Sequence, residues 1–109
     1  MTNLEDRRRA LEDKYILDFE RSFKVRTRRN RLLAEWVAGI IGRNDVEAYV
    51  SEVLDTGLAS PGDGSLIQKI VADLRAADQA VDEEFLREKM HELMYVAAEA
   101  IEHAFDTGR

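Results

Sequence analysis

Hydrophobic positions in this chain recur at three- and four-residue steps, the period of one helical face, and nowhere settle into the strict alternation of a strand. The first series is Leu33, Trp36, Val37, Ile40 and Ile41. Phe19 to Ile41 contains no proline and only Gly39. One long helix is therefore expected, ended by Gly42 where a left-handed residue costs least. Val46, Tyr49, Val50, Val53 and Leu54 predict a second helix, capped by Asn44 with Glu47 three residues on and closed by Gly57. The only loop of any size runs from Leu58 to Gly64 around a Pro61-Gly62 turn. Helix three is expected from Ser65, with Gln68 completing a second capping box; it buries Leu66, Ile67, Ile70, Val71 and Leu74. Asp82 caps helix four, with Val81 placed to staple onto Leu86. One side of that helix carries Phe85, Leu86, Met90, Leu93, Met94, Ala97, Ile101, Ala104 and Phe105. Four amphipathic helices with short links predict an all-α, antiparallel four-helix bundle over residues 19–109, with Trp36 as its core anchor.

Residues 1–18 follow a different rule. They are densely charged, with apolar positions only at Leu4, Leu11 and Tyr15 and, late, at Ile16 and Leu17. Thr2 and Asn3 supply candidate caps, and Glu5 can pair with Arg8 or Arg9. Nucleation is costly for a helix that buries so little, so this stretch is expected as a frayed, partly disordered arm that becomes helical on a partner.

Composition narrows the field. At 109 residues and 45% hydrophobic, the chain is one domain able to bury a core. Having no cysteine, it has no disulfide and no thiolate metal site. The longest apolar runs are far too short to span a bilayer, and a cytoplasmic protein without direct membrane insertion is expected. Net charge is −6, unevenly divided. Residues 1–31 carry ten Arg/Lys against six Asp/Glu, and residues 32–109 six against sixteen. A basic segment is thus presented by an acidic body, paired within the chain or offered to a partner.

Nothing in the chain favours catalysis. No serine has a histidine near it in sequence, and His91-Glu92 lacks the second histidine of a zinc-protease helix. Glu99 and His103, four apart, make half a metal site at best, and neither a metal nor another cofactor is expected. The Gly57 to Ser65 segment leads into a helix N-terminus but lacks the lysine of a P-loop, and Asp63 would repel a phosphate. Asp82, Glu83 and Glu84 complement a helix dipole. The strongest local feature is Arg28, Arg29 and Arg31, with Phe23 nearby. Three uses stay open for it: pairing with the acidic faces of helices three and four, docking a partner, or weak ADP or ATP binding. Nucleic-acid binding is disfavoured by a pI near 4.9, though a nucleic-acid-associated or nucleotide-sensing regulator stays as the alternative function.

The run RRNRLL at Arg28 to Leu33, followed by Trp36, Ala38 and Ile41-Gly42, resembles the signature of the zeta-subunit family, small bacterial inhibitors of the F-type ATP synthase. Ala34 departs from the glycine expected there. The resemblance implies a non-enzymatic regulatory protein whose residues 1–18 inhibit and whose residues 19–109 carry them. The implied partner is the catalytic head of the synthase, with its catalytic-interface and rotor subunits, and the implied location is the cytoplasm, peripheral to the inner membrane. Within the arm, Leu4, Leu11 and Tyr15 are candidates for a buried face, and Arg7, Arg8, Arg9 and Lys14 for pairs with acidic groups on the head.

Overall fold

A computed structural model describes residues 4–107, with side chains through Ala104. The Thr2 and Asn3 caps and the Phe105 side chain lie outside the described residues. Four helices follow one another: α1 (Leu4–Ile41), α2 (Val46–Ala59), α3 (Gly64–Ala76) and α4 (Glu83–Thr107). Antiparallel packing is visible in the pairs that join them. Arg21 meets Glu102 and Trp36 meets Phe85 across α1 and α4, while Tyr49 reaches Asp73 and Glu52 reaches Lys69 across α2 and α3.

The core is where the periodicity placed it. Leu33, Val37, Tyr49, Val50, Val53, Leu66, Ile67, Ile70, Leu74, Leu86 and Met90 are all buried, with Val46, Leu54, Val71, Val81 and Leu93 packed against them. Trp36 is different. It is only partly buried, with its ring 6.2 Å from that of the exposed Phe85 and the Lys89 ammonium 5.3 Å from its centroid. It therefore closes the edge of the α1–α4 seam, and Leu33 with Val37 occupies the centre expected for it. Phe85, Ile40 and Ala104 likewise face solvent.

The largest departure concerns the arm, which is helical from Leu4 and continuous with the bundle's first helix. Its residues are good helix formers, with Glu5/Arg9, Arg8/Glu12, Arg9/Asp13 and Lys14/Asp18 spaced for i,i+4 pairs. The nucleation cost that argued against a free helix is already met at Arg21 and beyond, so each arm residue only has to propagate an existing helix. Every residue from Leu4 to Glu20 is nonetheless exposed.

Helix ends divide into two groups. Gly42, at φ +75°, ends α1 with Arg43 N–H donating to the Ala38 carbonyl at 3.0 Å, a Schellman closure. Asp82 caps α4 through its side chain, accepting from the Glu84 and Phe85 amides at 3.1 and 3.3 Å. The other two expected caps move. Asp45, not Asn44, precedes α2, and Asp63, not Ser65, precedes α3; neither side chain caps its helix. Each carboxylate is held by an arginine instead, Asp45 by Arg43 and Asp63 by Arg29. Nor does Gly57 end α2, which continues to Ala59 and shortens the loop.

α3 ends in the same hydrogen-bond pattern as α1, but with a non-glycine residue, Asp78, at φ +57°. Left-handed backbone costs a residue with a Cβ about 1 kcal/mol, less for aspartate than for most. Asp78→Gly is expected to raise stability by about 0.5 kcal/mol net of the added freedom of the unfolded chain, as read by urea unfolding. A lowered midpoint would show that the Asp78 side chain contributes more than its backbone costs.

Candidate functional site

The arm presents a narrow apolar stripe. Leu4, Leu11, Tyr15 and Phe19, separated by seven, four and four residues, share one face of α1. Their exposures are 80%, 69%, 74% and 64%. Arg7 and Lys14, seven apart, flank this stripe, Arg8 lies within it, and Arg9 sits beyond its other edge. All seven arm candidates are thus placed on one exposed helix, whose apolar face continues the bundle's buried face. Such a helix can bind a groove, since its stripe has no partner in its own chain among the described residues.

The arginine triad does not form one surface. Arg29 is 2% exposed and makes a two-pronged pair with Asp63, at 2.7 Å from Nη2 to Oδ1 and 3.3 Å from Nη1 to Oδ2. Its Nε donates to the Asn30 side-chain oxygen at 2.8 Å, so every side of the guanidinium fork is engaged. The Arg29 guanidinium holds the Asp63 carboxyl below the usual carboxylate range, against the opposing effect of burial. Arg31 pairs with Glu47 at 2.6 Å and with Glu35 at 3.5 Å. Of the three arginines, only Arg28 stays exposed without an ion pair to a described residue. The triad's acidic partners therefore come from α1, α2 and the residue before α3. The bond to α4 belongs to Arg21.

A second polar network closes the end of the bundle away from the arm. Arg43 bridges Asp45 and Glu52, Lys69 bridges Glu52 and Asp73, and the buried Tyr49 hydroxyl donates to Asp73 at 2.7 Å. Burial, followed by the Asp73 carboxylate, pushes the Tyr49 phenol up, so it stays neutral and donates. These bonds pin the α1–α2 turn to α3, leaving the arm end as the open one.

Of the residues considered for metal or pH chemistry, His91 lies edge-on to Tyr95 at 5.1 Å on the exposed side of α4. Glu99 and His103 are also exposed, and no group of three or more potential ligands occurs among the described residues. No helix there is long and apolar enough to cross a membrane.

The model of the family described as ATPase inhibitor subunit zeta matches residues 1–100, taking in the arm, the stripe and nearly all of the bundle. The chain belongs to that family. It is thus a member of a family of ATPase inhibitor subunits. No curated protein matches it. In this zeta-family chain Ala34, standing where glycine was expected, is completely buried and its methyl group is part of the core. Sequence reasoning missed two features of the site: the Arg29–Asp63 pair, and a cleft at the root of the arm lined by Phe19, Phe23, Leu58 and Pro61.

Proposed function

We propose that this chain inhibits ATP hydrolysis by the F-type ATP synthase, with residues 1–18 as the inhibitory element and residues 19–109 as the scaffold that presents it. The arm inserts as a helix between subunits of the catalytic head beside the rotor. Closure of that interface in the hydrolytic direction grips the helix and stalls rotation, and turning in the synthetic direction opens the interface and releases it. Leu4, Leu11 and Tyr15 form the gripped face, while Arg7, Arg8, Arg9 and Lys14 meet carboxylates on the head. The protein acts in the cytoplasm, at the inner membrane only through the synthase. Arg28 and the outer side of Arg31 are left to contribute to docking; Arg29, enclosed in its pair, is not. No observation favours the nucleic-acid or nucleotide-sensing alternative.

The observation that supports this reading best is the exposed helical stripe, in a chain whose family match includes it. Ordering a free arm would cost about 1–2 kcal/mol per residue in backbone entropy. A helix already propagated from the bundle lowers that cost and leaves more of the contact energy for binding. Deleting residues 1–18 tests the proposal. The truncated chain should keep the circular dichroism of a folded helical bundle while its half-inhibitory concentration rises at least about 100-fold in an ATP hydrolysis assay. Leu11→Asp in the full chain should act in the same direction. Undiminished inhibition by both variants overturns the proposal.

A further inference from the structure

Beside the arm, at its root, lies a cleft of about 520 Å³ with no role in the insertion just described. Phe19 and Phe23 of α1 form one wall, and Leu54, Leu58 and Pro61 the other. Phe19, Phe23 and Leu58 are 64%, 49% and 65% exposed, so three large apolar side chains meet water at one place. A patch of this kind marks an interaction surface. Its electrostatics are one-sided. Among the described residues the only carboxylate lining it is Asp63, which Arg29 already neutralises. Arg26 lines the cleft without an ion pair among the described residues, acting on Asp63 only through space, and Arg28, likewise without one among them, stands one ridge away, where Phe23 separates the cleft from a second depression. An occupant must therefore be apolar on the side it buries and acidic around it.

The arm of the same chain is a poor candidate. α1 runs unbroken through Ile16 to Glu20, with neither glycine nor proline to turn it back, and its own stripe points along the same face. What the geometry does provide is continuity. Phe19 belongs both to the stripe of Leu4, Leu11 and Tyr15 and to the cleft wall, so a partner gripping the arm along that stripe reaches the cleft within one turn.

We propose that the cleft is a second docking site for the inhibited ATPase, taking an acidic amphipathic segment of its catalytic head whose apolar side chains enter between Phe23 and Leu58 and whose carboxylates meet Arg26 and Arg28. This inference rests on the reading of the arm as the inhibitory element. The cleft anchors the bundle, and the anchor raises the effective concentration of the arm at its own interface. The two sites therefore differ in what their loss does: without the arm there is no block, whereas without the cleft the block is complete but needs more protein and releases sooner.

The experiment uses the full chain, wild type and carrying Leu58→Glu or Arg26→Glu, both exposed positions, with folding checked by circular dichroism. Each variant is expected to raise the half-inhibitory concentration about tenfold while still inhibiting fully at saturation, and Arg26→Glu to flatten the salt dependence of inhibition. A photo-crosslinking residue at position 58 should give an adduct with a subunit of the ATPase, mapped to an acidic segment. Wild-type inhibition by both variants overturns the proposal. So does an adduct only with the chain's own arm, an adduct only with a second copy, or no adduct. Leu11→Asp separates the two readings: if it abolishes inhibition while Leu58→Glu and Arg26→Glu change nothing, the cleft proposal alone falls; if it leaves inhibition intact, the arm reading falls first.

Discussion

Asp63→Ala is expected to destabilise the protein by about 3 kcal/mol, because it strands the Arg29 guanidinium beneath the surface with no counter-charge. Arg29 is 2% exposed, whereas the Asp63 side chain is 36% exposed, so the cost falls mainly on the arginine left behind. Burying a charge without its partner is what makes breaking such a pair expensive; the intact pair need contribute little against an apolar replacement. The double variant Arg29→Met/Asp63→Leu should accordingly recover most of the loss, and urea unfolding of the wild type, the single variant and the double variant reads all three. The pair also sets an acid limit. The Asp63 carboxyl is held below its unfolded value of about 3.9, so its stabilisation is complete above that value and is lost as pH falls through the lower folded value. Below about pH 4 wild-type stability should fall more steeply than that of Asp63→Ala. Equal slopes and an unchanged unfolding midpoint would mean that the carboxylate does nothing for Arg29.

This pair also shows where the sequence was legible and where it was not. The buried faces of α2 and α3 follow from period alone, since every position in those two series packs into or against the core. The same period extends the buried rows of α1 one step further back, from Leu33 and Val37 to Arg29 and from Ala34 and Ala38 to Asn30, all of them buried. Residue type hid this, because arginine among arginines reads as a solvated patch. The missed caps have a related cause. Asp45 and Asp63 are good capping residues locally, but an arginine distant or adjacent in the chain offers their carboxylates a charged donor, and a charge-assisted bond outweighs a backbone amide. Trp36 sits away from its expected place because of its size: a large ring satisfies the apolar pattern equally well at the rim, with Lys89 over its face. For the arm, composition correctly identified a segment that buries nothing. It did not show that the helix behind it would carry the segment along, which depends on cooperativity beyond any local window.

Gly57→Ala is expected to cost about 2 kcal/mol, opposite in sign to the gain that helix propensity alone assigns to it. Gly57 lies within α2, where alanine would ordinarily be worth about 1 kcal/mol more than glycine. A Cβ built there, however, falls 2.6 Å from Asn30 Nδ2 and 3.7 Å from Asn30 Cγ. Asn30 cannot simply swing aside: it is 6% exposed and its oxygen accepts the Arg29 Nε–H at 2.8 Å. Turning it away leaves a buried donor unpaired, while moving α2 outward opens the α1–α2 contact; either response outweighs the propensity gain. The clash has a specific partner, so the effects must be coupled. In an Asn30→Ala background the same Gly57→Ala change should cost nothing or stabilise slightly, a non-additivity that a double-mutant cycle measures directly. Gly57→Ala at or above wild-type stability would show that the close approach relaxes freely. Should the cycle show coupling, the Gly57, Asn30, Arg29 and Asp63 contacts act as one brace, fixing the stretch of α1 from which the arm departs and the wall of the cleft beside it.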